Sequence, residues 1–160
     1  MEFLKKIFQK KEVIPLWWII AILLFVFAGL IDTTYLSLKQ LSGSSVVCNI
    51  YEVNSCSNVL TSEYSKLFGL PLSILGFGYY FSLFVFILIY STGVNKKYFN
   101  ILYAMSIFGF LFSVRLVYLQ FFVIENLCFY CMLSALFSTM IFITNSVYFI
   151  YNRKKFKISF

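Results

Sequence analysis

The sequence predicts an all-α integral membrane protein, a four-transmembrane-helix bundle that forms a single domain. Hydrophobic residues make up 61% of the 160 residues, and charged residues make up only 12%. Soluble domains carry about 25% charged residues, so this composition excludes a soluble globular, disordered or coiled-coil protein. Histidine is absent, which removes imidazole as a metal ligand and as the base of a catalytic triad.

Long uncharged segments locate the four helices. A helix needs about 20 apolar residues to cross the hydrocarbon core of a bilayer. Four such windows occur, and their apolar residues run consecutively rather than alternating as in a β-barrel. The predicted helices are about 15–38, 68–91, 99–122 and 127–151. The first is longer than the hydrophobic region of a signal peptide and no cleavage pattern follows it, so we expect it to be retained.

The basic residues predict the orientation, because cytoplasmic loops are enriched in Lys and Arg. The N-terminus, the loop between helices two and three and the C-terminus share one side, and ten of the 13 basic residues fall there. Both termini are therefore predicted to be cytoplasmic, and the loop 39–67 lies on the outer side. The net charge of +7 is then explained by the membrane topology and by contact with anionic lipid rather than by binding to nucleic acid. Trp17 and Trp18 predict an interfacial aromatic belt at the inner side.

All four cysteines fall on the predicted outer side. Cys48 and Cys56 lie in the loop, and Cys128 and Cys131 form a C-x-x-C motif at the outer end of the fourth helix. Residues i and i+3 share a helix face, and a helix N-terminus favours a thiolate over a thiol. Because the thiolate is the attacking species in disulfide exchange and the outer compartment is oxidising, the pattern predicts a redox relay.

Three other interpretations of the cysteines remain open. The loop pair is also typical of a structural disulfide in an extracellular segment. Four cysteines can bind zinc, although such sites usually contain two short cysteine knuckles. The C-x-x-C residues can also be apolar packing residues, and the protein is then a non-catalytic membrane scaffold with a structural loop disulfide.

Two charged residues lie within the predicted helices. Asp32 precedes the outer end of helix one by six residues, and Arg115 precedes the outer end of helix three by seven. At 1.5 Å per residue both lie about 10 Å below these ends. An unpaired charge inside a membrane costs at least about 2.5–3.5 kcal/mol, so the equal depth predicts an ion pair within the bundle. An Arg115 side chain that extends to the lipid headgroups fits the sequence equally well.

The spacing of these motifs resembles the vitamin K epoxide reductase (VKOR) family over about residues 15–150. The shared elements are Cys48, Ser55-Cys56-Ser57-Asn58-Val59, Ser62, Phe68-Gly69-Leu70-Pro71 with Gly76, and Cys128-x-x-Cys131. DsbB, another quinone-linked disulfide-forming membrane protein, resembles the chain in helix count. Its C-x-x-C motif lies in the first outer loop, whereas the motif here lies on helix four, so VKOR is the better match.

The resemblance implies a bundle around an isoprenoid quinone (menaquinone or ubiquinone), with a short helix in the outer loop and with no metal or haem. By motif, Cys131 reacts with the quinone and Cys128 is its resolving partner. Cys56 exchanges with Cys128, and Cys48 accepts electrons from a separate extracytoplasmic thioredoxin-fold (DsbA-like) protein. Many bacterial members carry a fused thioredoxin-like domain, and this chain is expected to be a stand-alone member.

Two further residues are candidates for this site. Ser62 is implied to lie near the C-x-x-C motif, where its hydroxyl would hold a sulfur or a quinone oxygen; a helix cap or turn residue is the alternative. Tyr130, inside the motif, is a candidate contact to a ring oxygen. Vertebrate members place a tyrosine where this chain has Ala135, and they use an asparagine in helix two, which contains none here.

The sequence therefore favours a quinone-dependent thiol oxidoreductase that promotes disulfide bond formation outside the cytoplasm. Vitamin K or vitamin K epoxide reduction by the same relay is the alternative within this fold. The expected location is the plasma or inner membrane, with the active site on the extracytoplasmic face; the endoplasmic reticulum membrane, facing the lumen, is the alternative.

Overall fold

The computed structural model describes residues 15–42, 65–67, 69–93 and 96–157. Most of these residues belong to four helices, which are α1 (Leu16–Leu41), α2 (Leu72–Gly93), α3 (Lys96–Phe122) and α4 (Phe129–Lys157). Each helix is long and apolar enough to cross a membrane. The chain is therefore a multi-pass membrane protein with the predicted four-helix fold.

The start of α2 differs from the prediction by four residues, because a short hairpin precedes the helix. Strand β1 (Lys66–Leu67) pairs antiparallel with strand β2 (Leu70–Pro71). Gly69 lies in the turn with a φ of 80°, a conformation that glycine adopts without steric cost. The hairpin therefore fixes the residue at which the chain enters α2.

The packing order of the helices determines which residues can meet. α1 packs against α2 and α4, and α3 packs against α4 and, more sparsely, against α2. α1 and α3 consequently lie on opposite corners of the bundle. Two glycines allow close approach of the helices: a Cβ atom at Gly29 of α1 would overlap the ring of Tyr80, and one at Gly109 of α3 would overlap Tyr79.

The end of the bundle that carries the chain termini, the terminal end, is filled by an aromatic cluster of Trp18, Tyr90, Phe99 and Tyr148. The ring of Trp18 stacks on Tyr148 with a centroid distance of 4.5 Å, and the hydroxyls of Tyr90 and Tyr148 are 3.0 Å apart. Trp18 is 0% exposed, whereas Trp17 is 52% exposed. The belt prediction is therefore wrong for Trp18, because this side chain points into the bundle.

Most of the predicted outer loop, residues 39–67, lies outside the described residues. Cys48, Cys56 and Ser62 lie in residues 43–64, outside the described residues, and so does the segment for which the resemblance implies a short helix. The opposite end of the bundle, where α1 ends and α4 begins, carries the C-x-x-C motif; we call it the cysteine end.

Candidate redox site

The C-x-x-C motif forms the N-terminus of α4. The helix begins at Phe129, so Cys128 occupies the N-cap position and Cys131 lies in the first turn. The carbonyl oxygen of Cys128 accepts a hydrogen bond from the Met132 N–H at 3.0 Å, and its Sγ accepts one from the Cys131 N–H at 3.4 Å. The thiol thus takes the place of the side-chain oxygen that normally caps a helix.

The backbone of Cys128 is anchored by a residue of α3. Its N–H donates a hydrogen bond to Oε1 of Gln120 at 3.0 Å, and Gln120 is itself only 3% exposed. Leu36 of α1 packs against the same cysteine. Cys128 is 0% exposed and is held by three helices, so its position is fixed by the bundle.

The two thiols are electrostatically unequal. Both cysteines are free. The pKa of Cys128 is lowered mainly because the Cys131 side chain donates a hydrogen bond to its sulfur, and backbone N–H groups add to this effect against the opposing effect of burial. Cys128 is therefore the sulfur that carries the negative charge most readily, and the thiolate is the form that enters disulfide exchange.

A cavity of about 450 Å³ lies beside Cys131. Residues from all four helices line it, and most of the lining is apolar. α2 and α3, which share the sparser contact, form its outer wall, where Gly78 and Phe108 are exposed. The volume falls within the range of about 300–1,000 Å³ that is typical of small-molecule sites. Cys128 is absent from the lining, so only one sulfur of the pair borders the cavity.

Three buried hydroxyl groups at this cavity form no standard hydrogen bond among the described residues. They are Ser65 Oγ, Tyr79 OH and Ser138 Oγ, all of which line the cavity, and the Tyr79 and Ser138 hydroxyls lie close enough to interact with each other. The neighbouring Tyr80 hydroxyl instead donates a bond to the Ser134 carbonyl oxygen at 2.7 Å. Buried polar groups are nearly always paired, so hydroxyls without a standard hydrogen bond at this cavity are available to donate to a ligand with acceptor oxygens.

A quinone fits these residues. Its ring carries two carbonyl oxygens, each an acceptor for a hydroxyl donor such as Tyr79 or Ser138. Phe108 and Phe112 contribute apolar lining for a ring and an isoprenoid chain. Cys131 borders the same space, which places its sulfur at the wall of the site that would hold the ring.

Tyr130 is not brought to the cavity. Its ring packs on Tyr35 of α1 with a centroid distance of 5.0 Å, and it is absent from the cavity lining. The motif position turns its side chain toward α1, whereas Cys131 turns toward the cavity. The structure therefore does not support Tyr130 as a contact to a ring oxygen.

The predicted ion pair between Asp32 and Arg115 is not formed. Asp32 is 7% exposed and its Oδ2 has no hydrogen-bond partner within the described ranges. Arg115 is exposed. The predicted depths place the two residues at one level, but α1 and α3 lie at opposite corners and Arg115 faces outward. The exposed side chain fits the alternative in which Arg115 extends toward lipid headgroups.

Sequence reasoning missed most of the polar cavity residues. The apolar segments of the predicted helices contain Tyr79, Gln120 and Ser138. A single polar residue in such a segment does not by itself predict a binding site. A signal was available on α4, because Cys131, Ser134 and Ser138 recur at i, i+3 and i+7 and therefore share one helix face. All three line the cavity.

Comparisons with known proteins agree with this geometry. A sequence model of the vitamin K epoxide reductase family matches residues 19–146, which include all four cysteines. The chain is also similar to the thiol-disulfide oxidoreductase LTO1 of Arabidopsis thaliana, with 39% identity over 51 residues. That alignment covers 32% of this chain and 13% of the relative, so the chain corresponds to a small part of that protein. On the family match, which extends over most of its length, the chain belongs to the vitamin K epoxide reductase family.

Proposed function

We propose that this protein is a thiol oxidoreductase that passes electrons from an extracytoplasmic thiol protein to a membrane quinone and thereby promotes disulfide bond formation. The observation that carries the proposal is the position of the C-x-x-C motif. Cys131 borders a quinone-sized cavity that is lined by hydroxyl donors. Cys128 accepts a hydrogen bond from the Cys131 N–H and does not itself line the cavity.

The chemistry requires two electrons and two protons to leave the thiol pair as the disulfide forms. A bound quinone supplies a two-electron acceptor for this step. The Cys131 N–H and thiol stabilise charge on the Cys128 sulfur. The hydroxyls of Tyr79 and Ser138 orient the ring, and the apolar lining excludes water from the reacting sulfur.

The first half of the relay involves residues outside the described ranges. In this proposal Cys56 exchanges with Cys128, and Cys48 receives electrons from a separate DsbA-like thioredoxin-fold protein on the extracytoplasmic face of the plasma or inner membrane. Support comes from the family membership and from the position of Cys128 at the end of the bundle where the outer loop begins.

Plain quinone reduction is favoured over epoxide reduction. Ala135, the position at which vertebrate members have a tyrosine, lines the cavity and offers no hydrogen-bond donor. The available hydroxyl donors at the cavity are Tyr79 of α2, Ser138 of α4 and Ser65. We therefore expect quinone turnover without measurable turnover of vitamin K epoxide.

The test uses the purified full chain in lipid nanodiscs with a reduced thioredoxin-fold donor and a short-chain quinone, whose loss is followed optically. We expect turnover that Cys131→Ser reduces to background. Cys48→Ser is expected to abolish turnover with the protein donor but to retain it with dithiothreitol, which reaches the C-x-x-C pair directly. Four Cys→Ser variants that alter only thermal stability, in a chain without quinone turnover, would instead establish the scaffold alternative.

A further inference from the structure

Asp32 is a buried carboxylate on α1, the helix whose Leu36 packs against Cys128. The structure describes two carboxylate side chains, Asp32 and Glu125, and only Asp32 is buried. It is 7% exposed, its Oδ2 has no hydrogen-bond partner, and no described basic residue forms an ion pair with it. A carboxylate kept in this environment carries a cost for which packing gives no explanation.

The surroundings of Asp32 connect it to the redox pair. Leu36 lies one turn later on the same face of α1 and packs against Cys128. Cys128, Tyr130 and Cys131 of α4 and Tyr80 of α2 are the titratable groups within range of the Asp32 charge. α2 and α4 are the helices packed against α1. The thiol pair therefore lies within range of the charge of this carboxylate, and none of the described basic residues forms an ion pair with it.

Two negative charges are costly in this site. Repulsion between like charges is strong where water is excluded. A Cys128 thiolate and an ionised Asp32 therefore disfavour each other, so that a proton on one of them favours the charge on the other. In the disulfide state Cys128 carries no charge, and the carboxylate is then the single anion.

We propose that Asp32 couples proton uptake to reduction of the Cys128–Cys131 disulfide. In the oxidised site Asp32 holds the one negative charge. Reduction adds two electrons to the disulfide and two protons to the site, one on the Cys131 sulfur and one shared between Cys128 and Asp32. The net charge of the site is minus one in both the disulfide and the dithiol state. Oxidation by the quinone releases the same two electrons and two protons. The inference rests on the proposed function only in requiring that this pair cycles between dithiol and disulfide.

The test measures the number of protons taken up per two electrons. The full chain with Cys48→Ser and Cys56→Ser, in nanodiscs without quinone, is equilibrated in dithiothreitol redox buffers over a range of pH, and free thiols are counted by alkylation. The pH dependence of the midpoint potential gives the proton number. We expect this parent to take up two protons for every two electrons. The Asp32→Asn variant should take up one proton at pH values at which its Cys128 thiol is ionised, so the pH dependence of the midpoint potential should fall by half there.

Matched variants separate charge coupling from structure. Asp32→Glu is expected to restore the uptake of two protons per two electrons. Glu125→Gln removes an exposed carboxylate near the motif and is expected to leave this proton number at two. Asp32→Asn is also expected to shift the pH midpoint of Cys128 alkylation downward, which a merely structural role would not predict.

Three results are decisive. A proton number that stays at two in folded Asp32→Asn over the whole range, with no shift in Cys128 alkylation, overturns the inference. A parent that takes up one proton overturns it even when the asparagine variant does not fold. A Cys128–Cys131 pair that forms no disulfide at any potential refutes the proposed function instead.

Discussion

The two ends of the bundle are built on opposite principles. At the terminal end, Trp18, Tyr90, Phe99 and Tyr148 fill the space between the helices, and two tyrosine hydroxyls contact each other. At the cysteine end the same four helices enclose a cavity of about 450 Å³. Three of its buried hydroxyls form no standard hydrogen bond among the described residues, and the buried Asp32 lies one turn before Leu36, which packs on Cys128.

This difference separates the source of stability from the site of chemistry. Dense aromatic packing holds the helices together at one end. The other end keeps a void and several buried hydroxyls without a standard hydrogen bond, both of which destabilise a folded protein when no ligand is present. Substitutions at the terminal end should therefore change stability, and substitutions at the cysteine end should change ligand binding and thiol chemistry.

The largest effect is expected from Trp18→Ala at the terminal end. This change removes a fully buried indole and should lower the free energy of unfolding by about 3–5 kcal/mol. The adjacent control Trp17→Ala, at an exposed position, should cost no more than about 0.5 kcal/mol. Unfolding in mixed detergent measures both variants, and equal losses would contradict the proposed division between the two ends.

A smaller effect of a different kind is expected from Tyr79→Phe at the cysteine end. The lost hydroxyl forms no standard hydrogen bond among the described residues, so the free energy of unfolding should change little. The KM for quinone should rise about tenfold, the equivalent of about 1.4 kcal/mol of lost hydrogen bonding. Tyr80→Phe, which removes a bond to Ser134, should lower stability by about 1 kcal/mol with a smaller change in KM. A reversed pattern in the two variants would exclude Tyr79 as a ring donor.

The smallest change is a shift in the thiol chemistry of Cys128. Cys131→Ala removes the side-chain donor that lowers the pKa of Cys128. The pKa should therefore rise, less thiolate is present at a given pH, and the midpoint of Cys128 alkylation should move to higher pH. Alkylation rates at several pH values measure this shift, with Met132→Ala as the control. A midpoint that moves to lower pH would show that Cys131 does not stabilise the thiolate.

The sequence was sufficient for the features that depend on position along a helix. Uncharged windows predicted the four helices, and the C-x-x-C motif was placed correctly at the start of α4. The features that depend on rotation about a helix axis were not predictable. Asp32 and Arg115 have the same predicted depth but lie on helices at opposite corners, and Tyr130 lies between two site cysteines but packs on Tyr35.

The cavity was equally hidden from sequence reasoning, because a void is defined by side chains from several helices at once. Composition identifies Ser138 or Gln120 as polar residues in apolar segments, but only the helix packing shows that they face the same space. The roles of Cys48, Cys56 and Ser62 stay predictions, since these residues lie outside the described ranges.

Protection of Cys131 by quinone tests the link between the thiol pair and the cavity most directly. In the Cys128→Ser chain, where no C-x-x-C disulfide can form, a fully substituted short-chain quinone should slow maleimide alkylation of Cys131, and Tyr79→Phe should weaken that protection. An alkylation rate of Cys131 that is the same with and without saturating quinone would show that the cavity beside this sulfur is not the quinone site.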